Sequence, residues 1–105
     1  MSETQKSIAE WVAMTFGEAG SNLRVAVRAN EEMSELLRCL SVDDTSPAAP
    51  LEIADVVIVL YRLAERLGFD LHTAIDRKME INKERSWKRD GSGNGYHVRV
   101  DKASS

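Results

Sequence analysis

The sequence has few of the features that mark exported, membrane-spanning or nucleic-acid-binding proteins. It contains a single cysteine, Cys39, so no disulfide can form within the chain. No apolar run approaches the length of about 20 residues that is needed to cross a bilayer. The N-terminus, MSETQKSIAEW, lacks the basic and apolar regions of a signal peptide. The formal net charge of -3 gives no broad cationic field. We therefore expect a cytoplasmic protein that binds neither a membrane nor a nucleic-acid polymer.

The composition is that of one small globular domain. Hydrophobic residues make up 43% of the 105 residues and charged residues 30%. A core can form from this balance, although so short a chain buries only a modest fraction of its surface by itself. We predict a single domain over residues 1–98, a polar and flexible tail over residues 99–105, and self-association of the domain.

Apolar residues recur at three- and four-residue spacing, which predicts four helices and no paired strands. The helices are expected at roughly residues 4–16, 22–40, 51–67 and 71–88, and a flexible segment at 90–95. The turn-forming stretch SVDDTSPAAP, residues 41–50, joins the second and third helices, which can therefore lie antiparallel. The predicted fold class is all-α, a four-helix chain that forms an oligomeric helical bundle.

Acidic residues occur in pairs on the second and third helices. Glu32 and Glu35 share one helix face, as do Glu31 and Glu35. Glu52 and Asp55 also share a face, next to the apolar residues of the third helix. Solvated acidic faces are the alternative, but two pairs that flank an antiparallel turn favour a bound cation, which offsets the cost of desolvating like charges. Oxygen ligands without cysteine or histidine indicate Mg²⁺ or Mn²⁺.

Basic residues follow one face of the predicted fourth helix. Lys78, Asn82 and Arg85 stand at positions i, i+4 and i+7, and Arg89 continues the series at i+11. Such a stripe suits phosphate binding, and a solvated basic helix end is an equally consistent interpretation.

The acidic motif has a known counterpart. E-E-x-x-E at residues 31–35, followed after 16 residues by E-x-x-D at 52–55, resembles the metal-binding signature of the MazG-like all-alpha NTP pyrophosphohydrolases. The resemblance extends to K-x-x-x-N-x-x-R at residues 78–85. It implies a bundle of the all-alpha NTP pyrophosphatase type, completed as a homodimer or homotetramer. It also implies hydrolysis of a (d)NTP between the alpha and beta phosphates, giving (d)NMP and pyrophosphate.

Residue roles follow from the resemblance. Glu32, Glu35, Glu52 and Asp55 would hold the Mg²⁺ ions, and Glu31 or one of those ligands, such as Glu35, would orient the attacking water. Lys78, Asn82 and Arg85 would bind the phosphates. Trp11 and Phe16 would stack on the base, although a tryptophan at helical spacing is also consistent with core packing.

Two other interpretations use the same features. One is a non-catalytic dimeric helical module that binds metal or nucleotide in a regulatory role. It explains the apolar third helix, and in it the acidic motif is only an ion site. A ferritin-like di-iron bundle requires Glu-x-x-His pairs, and neither His72 nor His97 follows a carboxylate at that spacing.

Overall fold

The computed structural model describes residues 2–98, which form four helices followed by a two-stranded hairpin. The elements are α1 (Gln5–Phe16), α2 (Asn22–Val42), α3 (Ala49–Leu67), α4 (Leu71–Glu84), β1 (Ser86–Arg89) and β2 (Gly95–Val98). The chain divides into two compact units, Met1–Leu71 and His72–Ser105. The predicted four helices are confirmed, the single-domain assignment stays a prediction, and the predicted tail lies outside the described residues. Within the described part of the chain, no helix combines the length and apolarity that crossing a bilayer requires.

Local hydrogen bonds determine where the helices of the first unit begin and end. Thr4 and Ser7 exchange side-chain and backbone hydrogen bonds of 3.0 and 2.8 Å, which is the capping box that starts α1. The Ser21 hydroxyl accepts a bond of 3.1 Å from the backbone N–H three residues later and starts α2. Pro50 lies in the first turn of α3, and Gly68, with φ 79°, ends that helix in the left-handed conformation.

α2 and α3 lie antiparallel and form the frame of the first unit. Arg66, near the end of α3, donates from Nε to Asn22 Oδ1 at 2.7 Å, at the start of α2. Further along the pair, Glu32, midway along α2, lies near Asp55 in the first half of α3. The apolar core contains Val12 from α1, Val25 from α2, and Val56 and Ala64 from α3, all buried. The only charged residue that is buried within residues 2–98 is Glu32, at 6% exposure.

In the second unit, α4 ends earlier than predicted and is followed by strands that the sequence did not predict. Ser86–Arg89 pairs antiparallel with Gly95–Val98, so Trp87 lies opposite His97. The Trp87 indole donates from Nε1 to the Asn82 carbonyl at 2.7 Å, which satisfies one of the last carbonyls of α4. The prediction of no paired strands was therefore wrong. The four-membered basic stripe was also wrong, because Arg85 follows the helix end and Arg89 belongs to β1.

The glycine-rich segment between the strands is the turn of the hairpin, where a flexible segment was expected. The backbone N–H of Asp90 donates to the Asn94 carbonyl at 3.0 Å and closes the turn. A Cβ atom at Gly95 would lie 2.8 Å from the Lys88 carbonyl oxygen of the neighbouring strand. A side chain at this position would therefore force the two strands apart, which explains why glycine is required here.

Candidate metal and nucleotide site

Three of the predicted acidic residues converge where α2 faces α3. One carboxylate oxygen from each of Glu32, Glu52 and Asp55 lies within 4.8 Å of the other two. Glu52 and Asp55 project together because they are three residues apart on α3, and Glu32 reaches them from the facing helix. Glu32 is buried, Glu52 is half-buried and Asp55 is exposed, so the group lies at the edge of the core and is open to solvent on one side.

The electrostatics of this group favour a bound cation. Burial raises the pKa of the Glu32 carboxyl, Arg28 opposes that shift, and the neighbouring Glu35 and Asp55 add to it. The Glu52 Oε2 atom is buried and has no hydrogen-bond partner among residues 2–98. Leaving such an oxygen without a donor is unfavourable. A cation between the three carboxylates would satisfy that oxygen and offset their mutual repulsion, and a donor set made only of carboxylates fits a hard divalent ion.

Arg28 bridges two adjacent acidic residues of its own helix. Its Nη1 donates to Glu31 Oε2 at 2.9 Å, and its Nη2 forms an ion pair with Glu32. The hydrogen bond with Glu31 is the main reason why the pKa of Arg28 is raised. Glu31 itself is exposed and lies outside the group of three carboxylates. Its predicted role in orienting water stays a prediction, while its observed contact is with Arg28.

A cavity of about 830 Å³ opens beside the carboxylates and lies entirely within the first unit. Its charged and aromatic lining consists of Glu32, Glu35, Asp55, Arg24, Arg28, Arg62, Trp11 and Phe16. Its apolar lining consists of Val12, Val25, Ile58 and Val59, with Ala19 and Gly20 at the loop before α2. This volume is in the usual range for small-molecule and cofactor sites, which run from about 300 to 1,000 Å³.

The cavity has an acidic end and an end that carries arginine and aromatic groups. Asp55 and Arg62 are seven residues apart on α3, which separates them by roughly 10 Å along the helix axis. The Arg62 guanidinium donates from Nη2 to the Gly17 carbonyl at 2.6 Å, directly after Phe16. A ligand lying along the cavity would therefore meet carboxylates at one end and cationic and aromatic side chains at the other.

Trp11 and Phe16 form an aromatic pair at the wall of this cavity. Their ring centroids are 5.7 Å apart and the rings are nearly perpendicular, at 87°. Trp11 is 59% exposed and Phe16 is 70% exposed, so neither ring serves as core packing in this chain. The predicted contact with a base stays a prediction, and exposed rings lining a cavity have the accessibility that such a contact needs.

The residues predicted to bind phosphate belong to the second unit. Lys78 and Asn82 are one turn apart on α4, and Arg85 comes directly after the end of that helix. Their role stays a prediction.

Sequence reasoning missed the three arginines that line the cavity. All three could have been recognised from spacing. Arg28 precedes Glu32 by four residues and Arg62 follows Asp55 by seven, so each shares a helix face with a predicted ligand. The third, Arg24, precedes Arg28 by four residues and continues the same face.

Comparison with known proteins gives consistent matches, to a family model over most of the chain and to individual relatives over nearly all of it. The model of the MazG-like family matches residues 27–95. A dATP/dGTP diphosphohydrolase of Cyanophage S-2L is 35% identical over 98 residues, which cover 93% of this chain and 88% of the relative. A dATP/dGTP diphosphohydrolase of Salmonella phage PMBT28 is 33% identical over 98 residues, and the match covers 93% of this chain and 31% of that longer relative.

A solved structure shows the same similarity. It is the Cyanophage S-2L MazG-like pyrophosphohydrolase bound to dGDP and three catalytic Mn²⁺ ions per active site. Its TM-score is 0.73 at 32% sequence identity, and the match covers 91% of this chain and 90% of that chain. The chain belongs to the MazG-like family. The predicted family and the predicted all-α class are therefore confirmed, and the names of the relatives agree with the predicted activity.

Proposed function

We propose that the protein is a metal-dependent nucleoside triphosphate pyrophosphohydrolase that converts dATP or dGTP into the monophosphate and pyrophosphate. The observation that carries this proposal is the convergence of Glu32, Glu52 and Asp55 beside a cavity of about 830 Å³. The general activity is that printed in the names of the relatives and of the similar solved structure. The restriction to purine deoxynucleotides rests on the two dATP/dGTP diphosphohydrolases that the chain resembles along 93% of its length.

In this proposal Glu32, Glu35, Glu52 and Asp55 hold Mg²⁺ or Mn²⁺. Bound divalent ions neutralise the charge of a triphosphate and lower the pKa of an attacking water. The unpartnered Oε2 of Glu52 supports the assignment, because a cation satisfies it. The buried carboxyl of Glu32 lies beside it and pairs with Arg28 through Oε1. The inclusion of Glu35 is supported by its position in the lining of the cavity, together with Glu32 and Asp55. Of the two residues proposed to orient the water, Glu35 is favoured over Glu31, which is engaged by Arg28.

Two further sets of predicted contacts belong to the proposal, one to the base and one to the phosphates. Trp11 and Phe16 stack on the base, as their exposure at the cavity wall allows. Lys78, Asn82 and Arg85 bind the phosphates, in keeping with the K-x-x-x-N-x-x-R motif that they form.

The protein is proposed to act as a homodimer or homotetramer. Ile53, Leu60 and Leu67 follow each other at seven-residue intervals on α3, so they form one stripe along the helix. Their exposed fractions are 48%, 37% and 54%. A stripe of large apolar side chains left in solvent is typical of a surface that another protein covers. A second copy of this chain would cover it and would also enlarge the small core.

The activity is tested by incubating the protein with dATP, dGTP, dCTP and dTTP in Mg²⁺ or Mn²⁺ and identifying the products by ³¹P NMR. We expect deoxynucleoside monophosphate and pyrophosphate from the two purine nucleotides, complete loss of turnover with a chelator, and recovery when excess metal is added. Deoxynucleoside diphosphate and orthophosphate would contradict the proposed bond cleavage. Nucleotide binding without turnover would favour the non-catalytic module.

A further inference from the structure

Arg62 stands at the end of the cavity that is remote from the carboxylates. It is two turns from Asp55 on α3 and lines the same cavity as Trp11 and Phe16. Its side chain is half-buried, and its Nη2 donates to the Gly17 carbonyl at 2.6 Å. That bond fixes the guanidinium against the connection between α1 and α2.

The guanidinium of Arg62 retains donors for a ligand. An arginine carries five N–H donors, and the Gly17 carbonyl takes one of them. Arg28 is committed to Glu31 and Glu32, whereas Arg62 takes part in none of the ion pairs among residues 2–98. Arg62 is therefore an anchored cation with unused donors, two helix turns away from Asp55 in the same cavity.

We propose that Arg62 determines base specificity by donating to N7 of a purine, an inference that rests on the proposed function. The metal-binding carboxylates fix the triphosphate at one end of the cavity, so the base extends toward the aromatic pair and Arg62. Adenine and guanine share an N7 acceptor on the same edge, and neither pyrimidine has one. Guanine adds the O6 acceptor beside N7, where adenine presents an N6 donor. A donor-only guanidinium thus selects purines over pyrimidines and dGTP over dATP.

A contact with the base has a kinetic signature that a purely structural role lacks. The base does not change during cleavage of the triphosphate, so its contacts are equally strong in the bound substrate and the transition state. Loss of such a contact raises KM and leaves kcat nearly unchanged. A structural defect that displaced the site would lower kcat for every nucleotide.

Arg66 provides a matched control one turn further along α3. It joins α3 to the same region of the chain, with Nε bonded to Asn22 Oδ1 at 2.7 Å and Nη1 3.5 Å from the Ala19 carbonyl. Arg66 does not line the cavity that holds Trp11 and the carboxylates. Arg66 also pairs with Glu18 at 3.6 Å, so substituting Arg66 removes at least as many contacts with this region as substituting Arg62 does. It removes no donor from the base end of the cavity.

The test compares dGTP with 7-deaza-dGTP, in which a C–H group replaces N7, in the wild type, Arg62→Met, Arg62→Lys and Arg66→Met. For the wild type we expect a KM roughly ten- to a hundredfold higher for 7-deaza-dGTP, the usual effect of losing one hydrogen bond to a charged group. Arg62→Met should raise the KM for dGTP by a similar factor and no longer distinguish the two nucleotides. Arg66→Met should discriminate as the wild type does.

Equal KM values for the two nucleotides in the wild type would overturn the proposal, as would wild-type discrimination by Arg62→Met. Thermal unfolding identifies a variant that fails to fold. If Arg62→Met does not fold, Arg62→Lys provides the test. Its shorter side chain keeps the charge, and we expect it to lose most of the KM difference between dGTP and 7-deaza-dGTP. A KM difference as large as that of the wild type would contradict the role of Arg62. If the proposed function itself is wrong, the wild type will release no pyrophosphate from any deoxynucleotide, a result that differs from all of those above.

Discussion

Replacing Asp55 by asparagine should lower turnover about a thousandfold or more, since binding and orienting divalent ions contributes several kcal/mol of transition-state stabilisation. The amide preserves the size of the side chain and removes the negative charge from a group of three carboxylates whose oxygens lie within 4.8 Å. Asp55 is exposed, so the substitution creates no cavity in the core. Far-UV circular dichroism should therefore be unchanged while pyrophosphate release in single-turnover assays falls. Glu35→Gln should behave in the same way.

Asp44→Asn is the matched control for this prediction. Asp44 is exposed in the connection between α2 and α3 and lies outside the carboxylate group. The control removes the same charge from the same type of side chain. Its turnover should stay within about twofold of the wild type, because salt screens the interaction of an exposed, distant charge with the site. Retained activity in both Asp55→Asn and Glu35→Gln would show that these carboxylates do not hold the catalytic metal.

Leu60→Glu should convert the proposed oligomer to a monomer. Leu60 is the middle member of the stripe formed with Ile53 and Leu67, and it is 37% exposed in the single chain. A carboxylate at the centre of a covered apolar surface would be buried without a partner, which costs several kcal/mol and weakens association by a thousandfold or more. Sedimentation velocity should give a dimer or tetramer for the wild type and a monomer for the variant.

Lys6→Glu is the control for the oligomer, because Lys6 is an exposed polar position on α1 outside the apolar stripe. This variant should sediment as the wild type does. A monomeric wild type, or an unchanged mass for Leu60→Glu, would show that the stripe is not a contact between copies of this chain. Helicity measured in parallel separates dissociation from unfolding.

Helix starts were predictable because their causes are local. Thr4 bonds to the backbone and side chain three residues later, and Ser21 likewise caps a backbone N–H three residues on. Gly68 ends α3 by adopting a conformation that other residues rarely adopt. Each of these signals lies within one turn of the boundary that it determines, so the sequence shows it directly.

The end of α4 was not predictable in the same way, because its cause is a pairing between distant residues. The stretch KERSWK, residues 83–88, contains no glycine or proline, and its lysine, glutamate and arginine favour helix. Trp87 instead pairs with His97, ten residues later, and bonds back to the Asn82 carbonyl. Strands of four residues have too little alternation to be recognised from pattern alone.

Spacing predicted which carboxylates meet, but not which of two adjacent glutamates is buried. Glu31 and Glu32 differ by one residue, and so by about 100° around α2. Glu32 shares its face with Val25, seven residues earlier, and both are buried. That periodicity was available in the sequence. The bond from Arg62 to Gly17 was not, because it joins residues 45 positions apart and depends on how α1 packs on α3.

The most direct measurement of the carboxylate site is the anomalous scattering of Mn²⁺ in crystals grown with dGDP. We predict manganese peaks within coordination distance of carboxylate oxygens from Glu32, Glu52 and Asp55, with the phosphates of the nucleotide bridging the ions. Manganese bound elsewhere, with these three side chains directed away from the metal and the nucleotide, would contradict the proposed site.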